Sequence, residues 1–305
     1  MAAIAYVTDE KMIEFHRCNG SQSIVFWRLS AKNFQDFKQG DLLFFLAKDL
    51  QTKQSKEKGL MGYGRLRDSK SMSVSLLWKK YGNMTGYNSK KELIEVITKS
   101  SKSKTLPKKI NCLLLDKVFF FQSPIYLSQF GFNINSNLES FTYLDRHEGK
   151  LTLDILQQAS KAGLDFWSGA LVGNDEDDFN KQLLQYSIST VLENAGIEYN
   201  INSKYLKKVT DTYFDEDSLW INQAKFCFLK FKQDKELYMI FYSKQYELKD
   251  NFYKLVGQLL TLKEDIEEDI KFTIISNRRL NDRQKRVLNK IDTTYLYYSG
   301  ENDEG

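Results

Sequence analysis

The acidic run Asp175-Glu176-Asp177-Asp178 constrains the fold most, because it separates two segments with different hydrophobic patterns. Adjacent like charges repel one another and resist packing, so a linker or an exposed helix start is expected there. The chain has 305 residues, and domains usually have ~100–200 residues each. We therefore expect an N-terminal domain over residues 1–170 and a C-terminal domain over residues 171–305.

Short apolar runs and turn signals dominate the N-terminal segment. Residues 24–29, 42–46 and 62–66 are typical of strands, and residues 37–41 predict a turn. Two stretches, 74–81 and 90–99, have apolar residues at helical spacing. Residues 113–121 and 124–126 return to an extended pattern. Strands that close on themselves around two short inserted helices predict a small β-barrel.

Helical and extended patterns alternate in the C-terminal segment. Leu184, Ile188 and Leu192 recur along one face of a helix. Strands are predicted at residues 226–231, 237–242, 272–275 and 294–298, and helices at residues 252–260 and 280–291. This order predicts a three-layer α/β domain. The whole chain is therefore expected to be α+β.

Positive charge is concentrated in one part of the chain. The formal net charge is +4, yet residues 51–110 hold 15 Lys or Arg against four acidic residues, a local net charge of +11. The remainder must then carry −7. A basic surface of this kind favours a polyanionic partner. The alternative is a general scattering of lysine over an ordinary surface.

Cysteine usage and hydropathy exclude several classes of protein. Cys18, Cys112 and Cys227 are far apart and show no C-x-x-C spacing, which argues against a disulfide scaffold and a zinc ribbon. The mean hydropathy is −0.48, and no apolar run approaches the ~18 residues of a membrane span. The first residues also lack the pattern of a secretory signal. We therefore expect a cytoplasmic protein with no membrane partner.

Four motifs follow one another in the N-terminal segment: Phe26-Trp27-Arg28, Phe37-x-x-Gly40-Asp41, Gly62-Tyr63-Gly64-Arg65 and residues 74–82. Together they resemble the PUA-like superfamily over residues 20–150, in particular the EVE-type modules of prokaryotic restriction and defence proteins. Such modules bind nucleic acid, and some flip a modified base into an aromatic pocket. The resemblance implies that Trp27, Tyr63 and Trp78 stack on a base and that Arg28 and Arg65 contact phosphate or base. The alternative for each aromatic residue is a place in the core.

A second resemblance concerns residues 180–298. The strand sequence of residues 239–244 is followed by a connector and then by Leu255-Val256-Gly257-Gln258-Leu259-Leu260. This arrangement resembles the restriction-endonuclease-like, or PD-(D/E)XK, fold, in which an I-E-V-K strand often precedes a G-Q-L-L helix. The resemblance implies catalytic roles for Lys244, Glu193, Glu247 and Gln258.

The same resemblance implies a divalent metal, Mg²⁺, held by Asp217 and Glu247 and used to activate water. Tyr242 stands where the family has its carboxylate, and it is not a charged oxygen ligand for Mg²⁺ at neutral pH. The C-terminal domain therefore resembles a degenerate member of this nuclease class, although carboxylates can also migrate within the fold.

Three functions remain open from the sequence. The first is a DNA-recognition protein of a restriction or antiviral defence system, which binds DNA, including a flipped modified base, beside a nuclease-like domain. The second is an active Mg²⁺-dependent endonuclease with a rearranged site. A homodimer would supply the two active sites that paired cutting of duplex DNA needs, and a defence-complex partner is the alternative. The third is a non-catalytic RNA-binding or assembly subunit. Whether the chain is an enzyme is therefore open, and Mg²⁺ is expected only in the second case.

Overall fold

The computed structural model describes residues 2–29, 34–48, 57–135, 137–145, 150–168, 175–194, 201–221, 226–231, 234–266 and 269–299. The chain divides into two units, residues 1–183 and 184–305. Each unit contains one mixed β-sheet with helices packed against it. The predicted combination of helices and strands is therefore observed.

Six strands form the sheet of the first unit. They are β1 (Ala3–Val7), β2 (Ser23–Arg28), β3 (Leu42–Lys48), β4 (Lys58–Met72), β5 (Ile110–Tyr126) and β6 (Phe141–Tyr143). Their order is β2-β5-β4-β3-β1-β6. The pairing of β1 with β3 is parallel, and the other neighbours are antiparallel.

The inner face of this sheet forms a single core. Its buried side chains come from β1 to β5, including Ile4, Tyr6, Ile24, Phe26, Phe45, Leu66, Leu115 and Phe120. Tyr6 and Phe26 lie on strands that are four positions apart in the sheet, yet their ring centroids are 4.9 Å apart. The sheet must therefore curl strongly, as the predicted barrel requires.

Four helices of the first unit are α1 (Glu10–Cys18), α2 (Val74–Tyr81), α3 (Lys90–Ser100) and α4 (Leu151–Ala162). The predicted insertion of two helices between strands is confirmed by α2 and α3. Ser73 and Ser89 cap them, because each side chain accepts a hydrogen bond from a backbone N–H of the first turn. Both helices pack on the outer face of the sheet, where Val25, Met72 and Cys112 lie. We call residues 73–109 the helical cap.

The second unit has a five-stranded sheet of β7 (Ser218–Trp220), β8 (Cys227–Phe231), β9 (Lys235–Phe241), β10 (Lys271–Ser276) and β11 (Thr293–Tyr297). The spatial order follows the chain order. β8 is antiparallel to both of its neighbours, whereas β9, β10 and β11 are parallel. The helices are α5 (Asp175–Asn194), α6 (Ser203–Tyr213), α7 (Leu248–Asp265) and α8 (Asp282–Lys290).

Helices cover both faces of this second sheet. Side chains of α5, α7 and α8, such as Leu184, Leu255 and Leu288, share a core with one face. Tyr205 and Val209 of α6 pack against the other face. The three-layer α/β arrangement predicted for the C-terminal segment is therefore confirmed. No described helix is both long enough and apolar enough to cross a membrane.

The division between the units falls inside α5, later than residue 170. Phe179, near the start of α5, packs against Tyr63 and Phe119 of the first unit. Leu184 and Ile188, one to two turns later, belong to the core of the second unit. The acidic run forms the start of α5. Negative charges are stabilised there by the positive end of the helix dipole. The expected helix start is observed, and the predicted junction at residues 170 and 171 lies outside the described residues.

Candidate nucleic-acid interface

Trp27 and Arg28 are consecutive residues of β2, so their side chains point to opposite faces of the sheet. Trp27 packs with the cluster beneath the helical cap. Arg28 lies over the ring of Phe34, which packs against the core of the curled sheet. The five residues predicted to bind nucleic acid therefore do not share one pocket.

Tyr63 is a core residue, and the prediction that it stacks on a base is wrong. Its side chain is 1% exposed, and the rings of Phe44 and Phe119 lie 5.4 Å away, centroid to centroid. Burial raises the pKa of its phenol. The register of β4 places Tyr63 directly opposite both phenylalanines on the neighbouring strands. Packing against two aromatic neighbours therefore occupies the ring face that a base would need.

The Arg65 side chain makes hydrogen bonds within the first unit. Its Nη1 donates to the carbonyl oxygen of Gly40 at 2.6 Å, in the turn before β3. Its Nη2 donates to Oε1 of Gln182 at 3.3 Å. Because both terminal nitrogens hold partners within the protein, the predicted contact between Arg65 and nucleic acid is not supported by its position.

Trp27 and Trp78 lie on the same side of the sheet, beside the helical cap. Both are half-buried and pack against the same cluster beneath the helical cap. Nε1 of Trp27 is buried beside the Tyr87 hydroxyl and has no well-formed hydrogen bond in the described part of the chain. Half-buried Tyr81 adds another ring, and Nζ of Lys80 lies 5.1 Å from its centroid. Aromatic rings beside cations are the combination on which unpaired bases stack.

The helical cap carries the positive charge of the first unit. It holds nine lysines and two glutamates, whereas the rest of residues 1–183 holds 17 basic and 18 acidic residues. The lysines are exposed: Lys79, Lys80, Lys90, Lys91, Lys99, Lys102, Lys104, Lys108 and Lys109. Within the described ranges, none of their ammonium groups pairs with a carboxylate. The positive charge is therefore localised and available to a partner.

A tight turn holds the cap against α1. Gly86 has a φ of +87°, and a Cβ at this position would lie 2.6 Å from Cγ of Met12 and 3.1 Å from Nε2 of His16. His16 is 1% exposed, and its Nδ1 lies 3.0 Å from Oγ of Ser21. Burial lowers the pKa of His16 to about 4. His16, which is buried at this contact, is therefore a neutral imidazole at neutral pH.

Of the residues predicted to be catalytic, Lys244 and Glu247 lie close together before α7, and Gln258 lies further along that helix. Lys244 is exposed after β9, and its hydrogen bond with Tyr246 and the charge of Glu247 raise its pKa. Glu247 precedes α7, and Gln258 lies about 16 Å further along the helix axis at ~1.5 Å per residue. Glu193 is exposed near the end of α5. Lys244 is therefore an ammonium group at neutral pH. It precedes α7, whereas Gln258 lies in the third turn of that helix.

Asp217 and Glu247 lie beyond opposite ends of the strands of the second sheet. Asp217 precedes β7, whose Ser218 pairs with Lys230, and Lys230 pairs with Glu236 at the start of β9. Glu247 follows the other end of β9. From Glu236 to Phe241, β9 spans about 17 Å at ~3.3 Å per residue. The prediction that Asp217 and Glu247 hold one metal ion is therefore wrong.

Amide and hydroxyl groups, rather than carboxylates, join the ends of β9 and β10. Oδ1 of Asn277 accepts from the backbone N–H of Ser243 at 2.9 Å, and Nδ2 of Asn251 donates to Oγ of Ser243 at 3.2 Å. Tyr242 packs against Tyr205 of α6. Across the described residues, no group of three His, Cys, Asp or Glu could hold a metal ion. The residues present do not fit Mg²⁺, and no metal-dependent step follows from them.

Comparison with known proteins gives only distant similarity. No protein-family model and no curated protein matches the chain. The crystal structure of ASCH from Zymomonas mobilis shows 15% identity and a TM-score of 0.36, covering 50% of this chain and 94% of that one. A mutant of the same protein shows 14% identity and a TM-score of 0.35, covering 51% and 96%. This similarity is too remote to support a functional argument.

The neutral state of His16 predicts a pH-dependent stability. The unfolded chain, with an ordinary pKa of 6.5, binds a proton that the folded protein, with a pKa of about 4, does not bind. The free energy of unfolding should therefore fall as the pH is lowered from about 6.5 to 4, by about 3 kcal/mol in total. Urea unfolding at several pH values measures this loss.

His16→Gln should remove this part of the pH dependence, whereas His147→Gln, the matched change at the other histidine, should keep it. An identical pH profile in His16→Gln and the unsubstituted protein would contradict the assignment of this effect to His16.

Proposed function

We propose that the first unit binds nucleic acid through the helical cap and through the aromatic edge formed by Trp27, Trp78 and Tyr81. One observation carries the proposal, the concentration of nine lysines against two glutamates in the cap beside a nearly neutral remainder of the unit. Nucleic acids present one phosphate charge per nucleotide, so a localised group of unpaired ammonium groups suits them.

The two parts of this interface supply different contributions. Each ammonium group that neutralises a phosphate releases a counterion, and the affinity then falls with salt by a slope of about 0.7 to 0.9 per phosphate. The half-buried rings of Trp78 and Tyr81 supply faces on which bases stack, which is worth about 1–3 kcal/mol per base. The cap therefore provides affinity for any nucleic acid, and the rings favour unpaired bases.

The finer form of the proposal is recognition of DNA in restriction or antiviral defence, with a flipped modified base as the target. It is supported by the EVE-type sequence resemblance and by the half-buried rings of Trp27 and Trp78. The RNA-binding alternative uses the same groups. Parallel binding measurements with modified DNA, unmodified DNA and structured RNA separate these possibilities.

We further propose that the second unit acts without catalysis, as a gripping or assembly domain. This is supported by the placement of Asp217 and Glu247 beyond opposite ends of the strands and by the packing of Tyr242 against Tyr205. A homodimer and a defence-complex partner remain predictions, as does a cytoplasmic location. The restriction-endonuclease-like identity of this unit stays a prediction from the sequence resemblance.

Charge reversal in the cap tests the binding proposal. The double variant Lys79→Glu/Lys91→Glu should weaken binding of a short single-stranded oligonucleotide by about tenfold or more at low salt, and should reduce the salt slope by about one or two. Fluorescence anisotropy over a series of salt concentrations measures both quantities.

Lys11→Glu/Lys161→Glu is the matched control, because it changes the net charge equally at exposed lysines outside the cap. It should stay close to the unsubstituted protein. An equal loss in both double variants, or no salt-sensitive retention of DNA or RNA by the original chain, would refute the role of the cap.

The non-catalytic proposal predicts that DNA, including modified phage DNA, stays intact when incubated with the protein and Mg²⁺ or Mn²⁺. Gel analysis of the products measures this outcome. Cleavage that disappears in Lys244→Ala or Glu247→Ala, but persists in Lys254→Ala on the exposed surface of α7, would establish the endonuclease alternative instead.

A further inference from the structure

Arg28 is a buried cation for which the described residues provide no carboxylate. It ends β2, and its side chain is 5% exposed. Its Nε and Nη1 atoms are buried and find no hydrogen-bond partner in the described part of the chain. The Tyr6 hydroxyl interacts with the guanidinium, and burial lowers the pKa of Arg28. An arginine nevertheless stays protonated in a protein, so the positive charge is retained.

Buried charges in proteins are usually paired, because a lone ion away from water is strongly unfavourable. The surroundings of Arg28 are aromatic instead. Its guanidinium carbon lies 4.1 Å from the centroid of Phe34, and Phe34 and Tyr6 both contact the ring of Phe141 at centroid distances of 4.9 and 5.7 Å. These rings hold the guanidinium plane in place and leave donors on its nitrogens unused.

Arg28 is the last residue of β2. Leu29, the next residue, is 36% exposed, so the chain reaches the surface immediately after Arg28. A planar guanidinium held by an aromatic ring is suited to bind an oxyanion through two hydrogen bonds, and phosphate is the oxyanion that arginine commonly recognises in this way.

We propose that Arg28, backed by Phe34 and Tyr6, is a binding site for a phosphate group. Two sources share this chemistry, a free nucleotide or phosphate ion and the terminal phosphate of a nucleic-acid strand. The site is independent of the helical cap, because the cap covers the face of β2 to which Trp27 points and Arg28 points to the other face. Failure of one proposal therefore leaves the other intact.

Thermal unfolding with added phosphate compounds tests this site. Inorganic phosphate and a nucleoside monophosphate should raise the Tm of the protein, and the corresponding nucleoside should not. Arg28→Met should lose this shift. Without ligand, its Tm should equal or exceed that of the original chain, because the substitution removes an uncompensated buried charge. Arg67→Met, which removes a surface arginine paired with Asp116, is the matched control and should keep the phosphate response.

Arg28→Lys keeps the charge but loses the planar pair of donors, and it should weaken phosphate binding by about tenfold. If Arg28→Met does not fold, the phosphate response of Arg28→Lys tests the proposal. Oligonucleotides with and without a 5′-phosphate distinguish the sources: a preference for the phosphorylated strand that is lost in Arg28→Lys assigns the site to strand ends. A response to nucleotide alone assigns it to free ligands. No phosphate-dependent shift with any probe, or an equal shift in both Arg28 variants, would overturn the proposal.

Discussion

The alternation of side chains along β2 organises the first unit, because the protein buries both faces of this strand with different parts of the chain. Val25 and Trp27 face the helical cap, and Phe26 and Arg28 face the curled interior. Pairing with β5, in which Trp27 lies opposite Cys112, fixes this register. A slip of one residue would exchange the two sets of side chains. The aromatic edge beneath the cap and the buried guanidinium therefore depend on the same strand pairing.

Local patterns were sufficient for the elements with strong local signals. The extent of α2 follows from its apolar spacing and from Ser73 before it, and α3 differs from its predicted range by one residue. The long strands β4 and β5 exceed their predicted ranges, because register shifts let them continue past polar or glycine-containing stretches. The end of the first unit inside α5 was not predictable, since Phe179 and Leu184 join different cores through long-range packing.

The candidate site was predictable in residue type and only partly in placement. The basic segment is visible in the sequence, and the stacking roles of Trp27 and Trp78 stay predictions. Tyr63 lies in the core because it pairs with residues of two other strands. The local sequence does not reveal this pairing. The separation of Asp217 from Glu247 likewise depends on strand order. That Arg28 points away from Trp27 could be predicted from the sequence, since neighbouring residues of a strand face opposite ways.

Lysine footprinting tests the central claim most directly. The protein is labelled with an acetylating reagent in the absence and presence of a single-stranded oligonucleotide, and modification of each lysine is quantified by mass spectrometry. The account predicts that bound nucleic acid protects the cap lysines, such as Lys79, Lys90 and Lys91, and leaves Lys11 and Lys161 as reactive as before. Uniform protection of all lysines, or protection confined to residues 184–305, would contradict it.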